Sequence, residues 1–144
     1  MRFIVIVLSV GLLSSCSFDK EKEKKEIMEL LFHQVNDWNS GDIESYMQAY
    51  WKSDQLRFAS GARVTYGWQK TFKNYKKAYP SKLEMGKLVF SDFQIKIMDN
   101  KNAIVFGRWQ LFRDTDVPNG LFTLNLYKFP EGWRIISDHT SSAK

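Results

Sequence analysis

Residues 21 to 39 place Met28, Leu31, Val35 and Trp38 at helical spacing, and Ile27 and Leu30 widen the apolar stripe. This spacing predicts an amphipathic helix. The run Asn39-Ser40-Gly41-Asp42 then offers a stop at Gly41 and a new N-cap at Asp42. A second short helix is predicted from Ile43 towards Trp51, with Ile43, Tyr46, Met47 and Tyr50 on one side. LRFASGARVTYG reads as two short strands around a Ser-Gly turn, and WQKTFKNYKKAY as a third helix ended by Pro80. Strand-like segments follow at Leu83 to Asp99, at Ala103 to Asp114 after DNKN, at Leu121 to Phe129 after DVPNG, and at Trp133 to Ser141 after PEG. Helices followed by a long antiparallel meander give an α+β domain, with three N-terminal helices packed on one face of a curved, mainly antiparallel sheet.

Alternation along these strands assigns their faces. If the last two form a hairpin, Phe122, Leu124, Leu126 and Ile136 share the side that the helices cover, together with Arg134, Asp138 and Thr140. The opposite side holds Tyr127, Trp133, Ile135 and His139, an amphipathic surface expected to meet a second copy of the chain. Asp138 and His139 are sequence neighbours, so they point to opposite faces and cannot form a hydrogen-bonded pair without a bulge. Between Ala103 and Asp114 the chain is apolar on both faces, and alternation alone does not orient it.

The ends and the charge narrow the picture. Arg2 followed by FIVIVLSVGLL is an apolar run of 11 residues, whereas a membrane-spanning helix needs about 20. It reads as a signal peptide over residues 1–15. The next residues, Leu13-Ser14-Ser15-Cys16, resemble a bacterial lipobox, which implies acylation of Cys16, a membrane anchor and a location facing the periplasm or the cell exterior. Residues 16–26 then form a charged tether or the first turns of a helix, and the folded domain is expected over 27–142. Cys16 is the single cysteine, so no disulfide forms within one chain.

The net charge is +5, and its distribution says more than its sum. From Gln55 to Leu83 there is no acid, while Arg57, Arg63, Lys70, Lys73, Lys76, Lys77 and Lys82 all fall there. A solvated helix face, contact with anionic head groups and attraction of an anionic ligand all fit this run. No motif supports nucleic-acid binding. Two histidines, His33 and His139, on different predicted elements provide no metal-ligand set. SGAR is not a nucleophile elbow.

The order of elements, the W-N-x-G-D junction at Trp38 to Asp42 and the closing G-W-R-I-I-x-D-H-T-S at Gly132 to Ser141 resemble the nuclear transport factor 2-like superfamily, in its SnoaL-like and domain-of-unknown-function 4440 types. The resemblance spans Lys24 to Ser142. It implies a cone-shaped fold with a pocket between helices and sheet, frequent dimerisation through the outer sheet face, no cofactor, and either a binding or assembly role or a small isomerase, cyclase or dehydratase activity. In the kinase association domain of that superfamily a pocket arginine matches Arg108, while two further pocket arginines correspond to Leu124 and Thr140. The resemblance therefore points to Arg108, with Gln110 on the same face, as the partner of Asp138. That pair would be either a structural ion pair or the polar floor of a pocket for a small apolar or anionic ligand, lined by Trp38, Tyr46, Tyr50, Phe58, Tyr66 and Thr140. An arginine at this distance would lower the Asp138 pKa and make it a poor general base, which favours binding over proton transfer by Asp138.

Overall fold

The structure, a computed structural model, describes residues 18–143. Cys16, the expected acylation site, and the expected signal segment lie outside the described residues. Helix α1 (Lys20–Ser40) opens on Asp19, whose carboxylate accepts the backbone N–H of Glu21 and Lys22, and closes on Gly41 in the left-handed region at φ 89°. Its buried stripe is Glu23, Ile27, Leu31, Gln34 and Trp38, whereas Met28 is exposed, so the helix is rotated from the expected face. The charged segment forms the first turns of this helix, which begins at Lys20.

Asp42 caps α2 (Ile43–Tyr46) by accepting from the Ser45 N–H at 2.9 Å, and a 3-10 turn, Met47–Ala49, carries the chain to Tyr50. Two short strands, β1 (Arg57–Ser60) and β2 (Arg63–Tyr66), precede α3 (Trp68–Ala78) and a single turn, α4 (Lys82–Met85). The long strands are β3 (Lys87–Ile97), β4 (Asn102–Phe112), β5 (Asn119–Phe129) and β6 (Gly132–Thr140). They build one sheet of six strands in the order β2-β1-β6-β5-β4-β3, with β1 parallel to β6 and every other pair antiparallel. The helices cover one face, and the core between the layers joins Ile27, Leu31 and Met47 to Val105, Leu126 and Ile135.

Two irregularities set which side chains face the helices. Between β5 and β6 the register shifts after the Asn125–Ser137 pair, so that Leu126 opposes Ile135 and Ile136 is the extra residue. The bulge reverses the alternation. Trp133 and Ile135 therefore point inward, 3% and 0% exposed, and Arg134 and Ile136 leave the inner face. The expected outer patch loses Trp133 and Ile135 and keeps Tyr127 and His139. In β3 a second shift between Ser91 and Gln94 holds Asp92 at φ 56°.

The Trp133 indole N–H donates to the Glu23 carboxylate at 2.8 Å, and the same oxygen accepts from the Lys128 ammonium at 2.6 Å. Glu26 accepts from Lys128 at 2.8 Å. This cluster pins the start of α1 to the β5–β6 hairpin. Its hydrogen bonds outweigh the opposing effect of burial and hold the Glu23 carboxyl below its ordinary range.

Candidate functional site

Between the helices and the open end of the sheet lies a cavity of about 580 Å³. Its walls are local sequence features brought together. Trp38 comes from the last turn of α1 and is fixed by its indole N–H donating to the Met85 carbonyl at 3.1 Å. The side chain of Asn39, one residue on, brackets Leu88, donating to its carbonyl and accepting its N–H, and so holds the end of α1 on β3. Tyr46 and Tyr50 follow at a one-turn interval, and at the same interval come Tyr75 on α3 and Tyr79, the residue that caps its C-terminal end. Their rings interlock: Trp38 meets Tyr46 at 5.0 Å and Tyr79 at 4.7 Å between centroids, and Tyr46 meets Tyr75 at 5.4 Å.

The sheet side is built from Phe58, Phe90, Trp109, Phe122 and Leu124. Gly107 is what lets Phe122 lie across β4, because a Cβ there would collide with the Phe122 ring. Gly120 similarly lets the tail approach, and the Trp109 indole N–H donates to the Ser141 carbonyl at 3.0 Å.

Asp138 is 5% exposed and opposes Leu124 on one side and Phe58 on the other. One carboxylate oxygen, Oδ2, accepts the Tyr50 hydroxyl at 2.7 Å. The other, Oδ1, is buried without a hydrogen-bond partner. Burial pushes the Asp138 carboxyl up to about 7, against the opposing pull of the Tyr50 hydrogen bond. Burial first, and then the negative charge of Asp138, raise the Tyr50 phenol well above its ordinary value; Tyr46 and Tyr75 are raised as well, again mainly by burial. These phenols are neutral donors at any physiological pH. The carboxyl beside them is poised to hold or release a proton.

Of the expected pocket residues, Trp38, Tyr46, Tyr50, Phe58, Asp138 and Thr140 line the cavity. Arg108 and Gln110 do not. Trp109 and Leu111 take the inner face of β4, so alternation sends Arg108 and Gln110 to the outer one. There the Arg108 Nε donates to Asp92 at 3.1 Å, with side chains 40% and 64% exposed. The expected Arg108–Asp138 pair is absent, and with it the reason for a lowered Asp138 pKa. Tyr66 is also outside, because alternation turns its neighbour Thr65 inward. His139 is exposed on the far face, as alternation requires. Tyr75, Tyr79, Trp109, Arg63 and Lys77 line the cavity without having been singled out for it. The helical spacing of Phe72, Tyr75 and Tyr79 was a readable signal for two of them, but β4 offered none. Among the described residues, no three His, Cys, Asp or Glu side chains converge as a metal site. No described helix is long and apolar enough to cross a membrane.

No family model matches the chain, and no curated protein does. Solved structures do. A protein described as NTF-2 like and of unknown function, from Shewanella oneidensis MR-1, is 42% identical, with a TM-score of 0.79 over 82% of this chain and 98% of that one. The match thus takes in nearly the whole of that solved chain. A nuclear transport factor 2 (NTF2-like) superfamily protein from Salmonella enterica is 20% identical, with a TM-score of 0.69 over 88% and 95% of the two chains. A protein described as ketosteroid isomerase-like, from Erwinia carotovora atroseptica, is 14% identical, with a TM-score of 0.69 over 88% and 99%. None of these carries the finer domain-of-unknown-function 4440 assignment.

Proposed function

The chain belongs to the nuclear transport factor 2-like family, whose fold selects no chemistry by itself, and from the geometry of its pocket we propose that it binds a small, largely apolar molecule through a polar contact at Asp138. The observation that carries this reading is the buried, unpartnered Oδ1 of Asp138, a residue in the lining of an aromatic cavity of about 580 Å³. Leaving a buried acceptor unsatisfied costs about 1 to 3 kcal/mol. A ligand hydroxyl or N–H would remove that penalty, and the rings around it would shed water onto an apolar body. Native mass spectrometry of residues 18–144 should find a bound small molecule that is released in Asp138→Leu. Protein that is empty when isolated, and whose melting temperature is unmoved by a panel of small apolar alcohols and acids, would overturn the reading.

A second reading, proton transfer, is favoured by a separate observation: the Asp138 carboxyl sits at about 7 with neutral phenols beside it. A general base works best when its pKa lies near the operating pH. Asp138 would take a proton on Oδ1, and a Tyr hydroxyl would stabilise the developing oxyanion. The Erwinia protein described as ketosteroid isomerase-like makes this chemistry a natural one to test, although its 14% identity transfers the fold alone. Exchange of solvent deuterium into a bound carbonyl compound, turning on near pH 7 and lost in Asp138→Asn, would support it. Binding without exchange would leave a non-catalytic carrier.

The placement of this domain at a membrane through acylated Cys16 rests on the sequence alone. Mass spectrometry of membrane-extracted protein tests it, and an unmodified mature N-terminus upstream of Cys16 would refute it. Pairing of two copies through the outer sheet face is supported by the exposed Leu121 and the half-buried Tyr127, which alternation turns to the same outer side of β5. Sedimentation at high micromolar concentration decides that point.

A further inference from the structure

The two ends of the cavity differ in charge. Strand register sets the inward side chains in rows: Thr65, Phe58 and Asp138 form one, and Arg63, Ser60 and Thr140 form the next towards the strand ends. Two residues along a strand separate the rows by about 6.6 Å. Arg63 and Lys77 are exposed where they line the opening, while Asp138 is buried at the inner end. They are the cations and the acid of the cavity lining.

The surroundings reinforce this polarity. Residues 55–83 carry seven Lys and Arg and no acid, and among the described residues none of the seven takes part in an ion pair. Of these, Arg63 and Lys77 line the cavity and sustain a positive potential at its opening. The bare Oδ1 of Asp138 makes the opposite demand within, for a donor and against an anion.

On the reading of this cavity as a ligand site, we propose that its ligand is an amphipathic anion. A carboxylate or phosphate is held at the entrance by Arg63 and Lys77, an apolar body lies among the rings, and any hydrogen-bond donor at the far end meets Asp138. The reverse orientation would bury the anion beside a carboxyl group and leave the entrance cations unused. A cationic amphiphile would be repelled at the mouth.

The test uses residues 18–144, titrated calorimetrically with decanoate, decyl phosphate and decanol at low and high salt. The expected result is that either anion binds at least about tenfold more tightly than decanol at low salt, with the gap narrowing as salt screens the entrance. In the double variant Arg63→Gln with Lys77→Gln, the anions should fall to the level of decanol while decanol itself stays within twofold. A carboxylate preferred over the phosphate, or the reverse, identifies the head group. Equal binding of decanol and both anions by the unaltered protein, or a preference that survives the double substitution, overturns the assignment and leaves the pocket reading intact. Failure of all three to bind overturns both. Binding to phosphatidylglycerol vesicles that decanoate does not displace would make the basic strip a bilayer contact and also overturn the inference.

Discussion

Two acids of this protein expose little of their surface and live in opposite conditions. Glu23, 8% exposed, has its Oε2 shared by an ammonium and an indole N–H, and its pKa is lowered. Asp138, 5% exposed, has one phenol on one oxygen and nothing on the other, and its pKa rises to about 7. Desolvation acts on both, but Asp138 lies deep between the layers while Glu23 sits near the surface, so depth of burial is part of the difference. The hydrogen-bond shell separates them further: the satisfied acid fastens α1 to the hairpin, and the unsatisfied one belongs to the lining of the cavity.

The two acids must therefore respond oppositely to pH. Asp138 is held protonated in the fold when it would be ionised in the unfolded chain, so its contribution is fully present below its unfolded pKa and is lost as pH rises towards 7. The difference between about 7 and an unperturbed value of about 3.9 corresponds to at most about 4 kcal/mol. Asp138→Asn should remove this term, raising stability at pH 8 by up to about that amount and flattening the profile between pH ~4 and ~7. Urea unfolding at several pH values measures it, and a variant as pH-sensitive as the parent would break the comparison. Glu23 has the reverse sign, since its lowered pKa gives stability that is present above its unfolded value and disappears on acidification.

Glu23→Ala comes next in size. It strips the Trp133 indole of its acceptor and leaves Lys128 with Glu26 alone, a loss of about 2 to 3 kcal/mol. Chemical denaturation should register it while ligand binding in the cavity stays unchanged. Tyr50→Phe removes the one donor to Asp138 and should destabilise by about 1 to 2 kcal/mol at pH 8. It should also push the Asp138 titration above 7, as followed by the carboxyl carbon resonance in NMR. The smallest effect belongs to Arg108→Leu. Its ion pair with Asp92 is exposed, worth less than about 1 kcal/mol, and on the wrong face to touch the pocket. Loss of ligand on that substitution would contradict the face assignment.

Much of the fold is legible from local signals. The Asp42 cap, the stop at Gly41 and the Pro80 break lie within a turn of the residues they govern, and each element appears close to where periodicity puts it. Leu83 belongs to α4 and β3 starts only at Lys87, because Ser81 caps one extra turn. The inward direction of Asp138 and the outward direction of His139 also follow from strict alternation near the strand end.

The site itself depends on register, which local sequence does not encode. One extra residue at Ile136 swaps the faces of Trp133 and Ile135, yet it changes no hydropathy in the β6 segment. Along β4 the aromatic and aliphatic residues fall on both sides, so Arg108 and Trp109 could each have been the inward residue. The Gly107 gap that admits Phe122, together with pairing to β5, fixes the choice. Capping, helix phase and turn positions rest on interactions between residues a few places apart, and the chain carries those in its order of amino acids. Which oxygen of Asp138 lacks a partner, and which cations stand at the mouth, rest on contacts between strands and helices distant along the chain, and these exist only once the layers have packed.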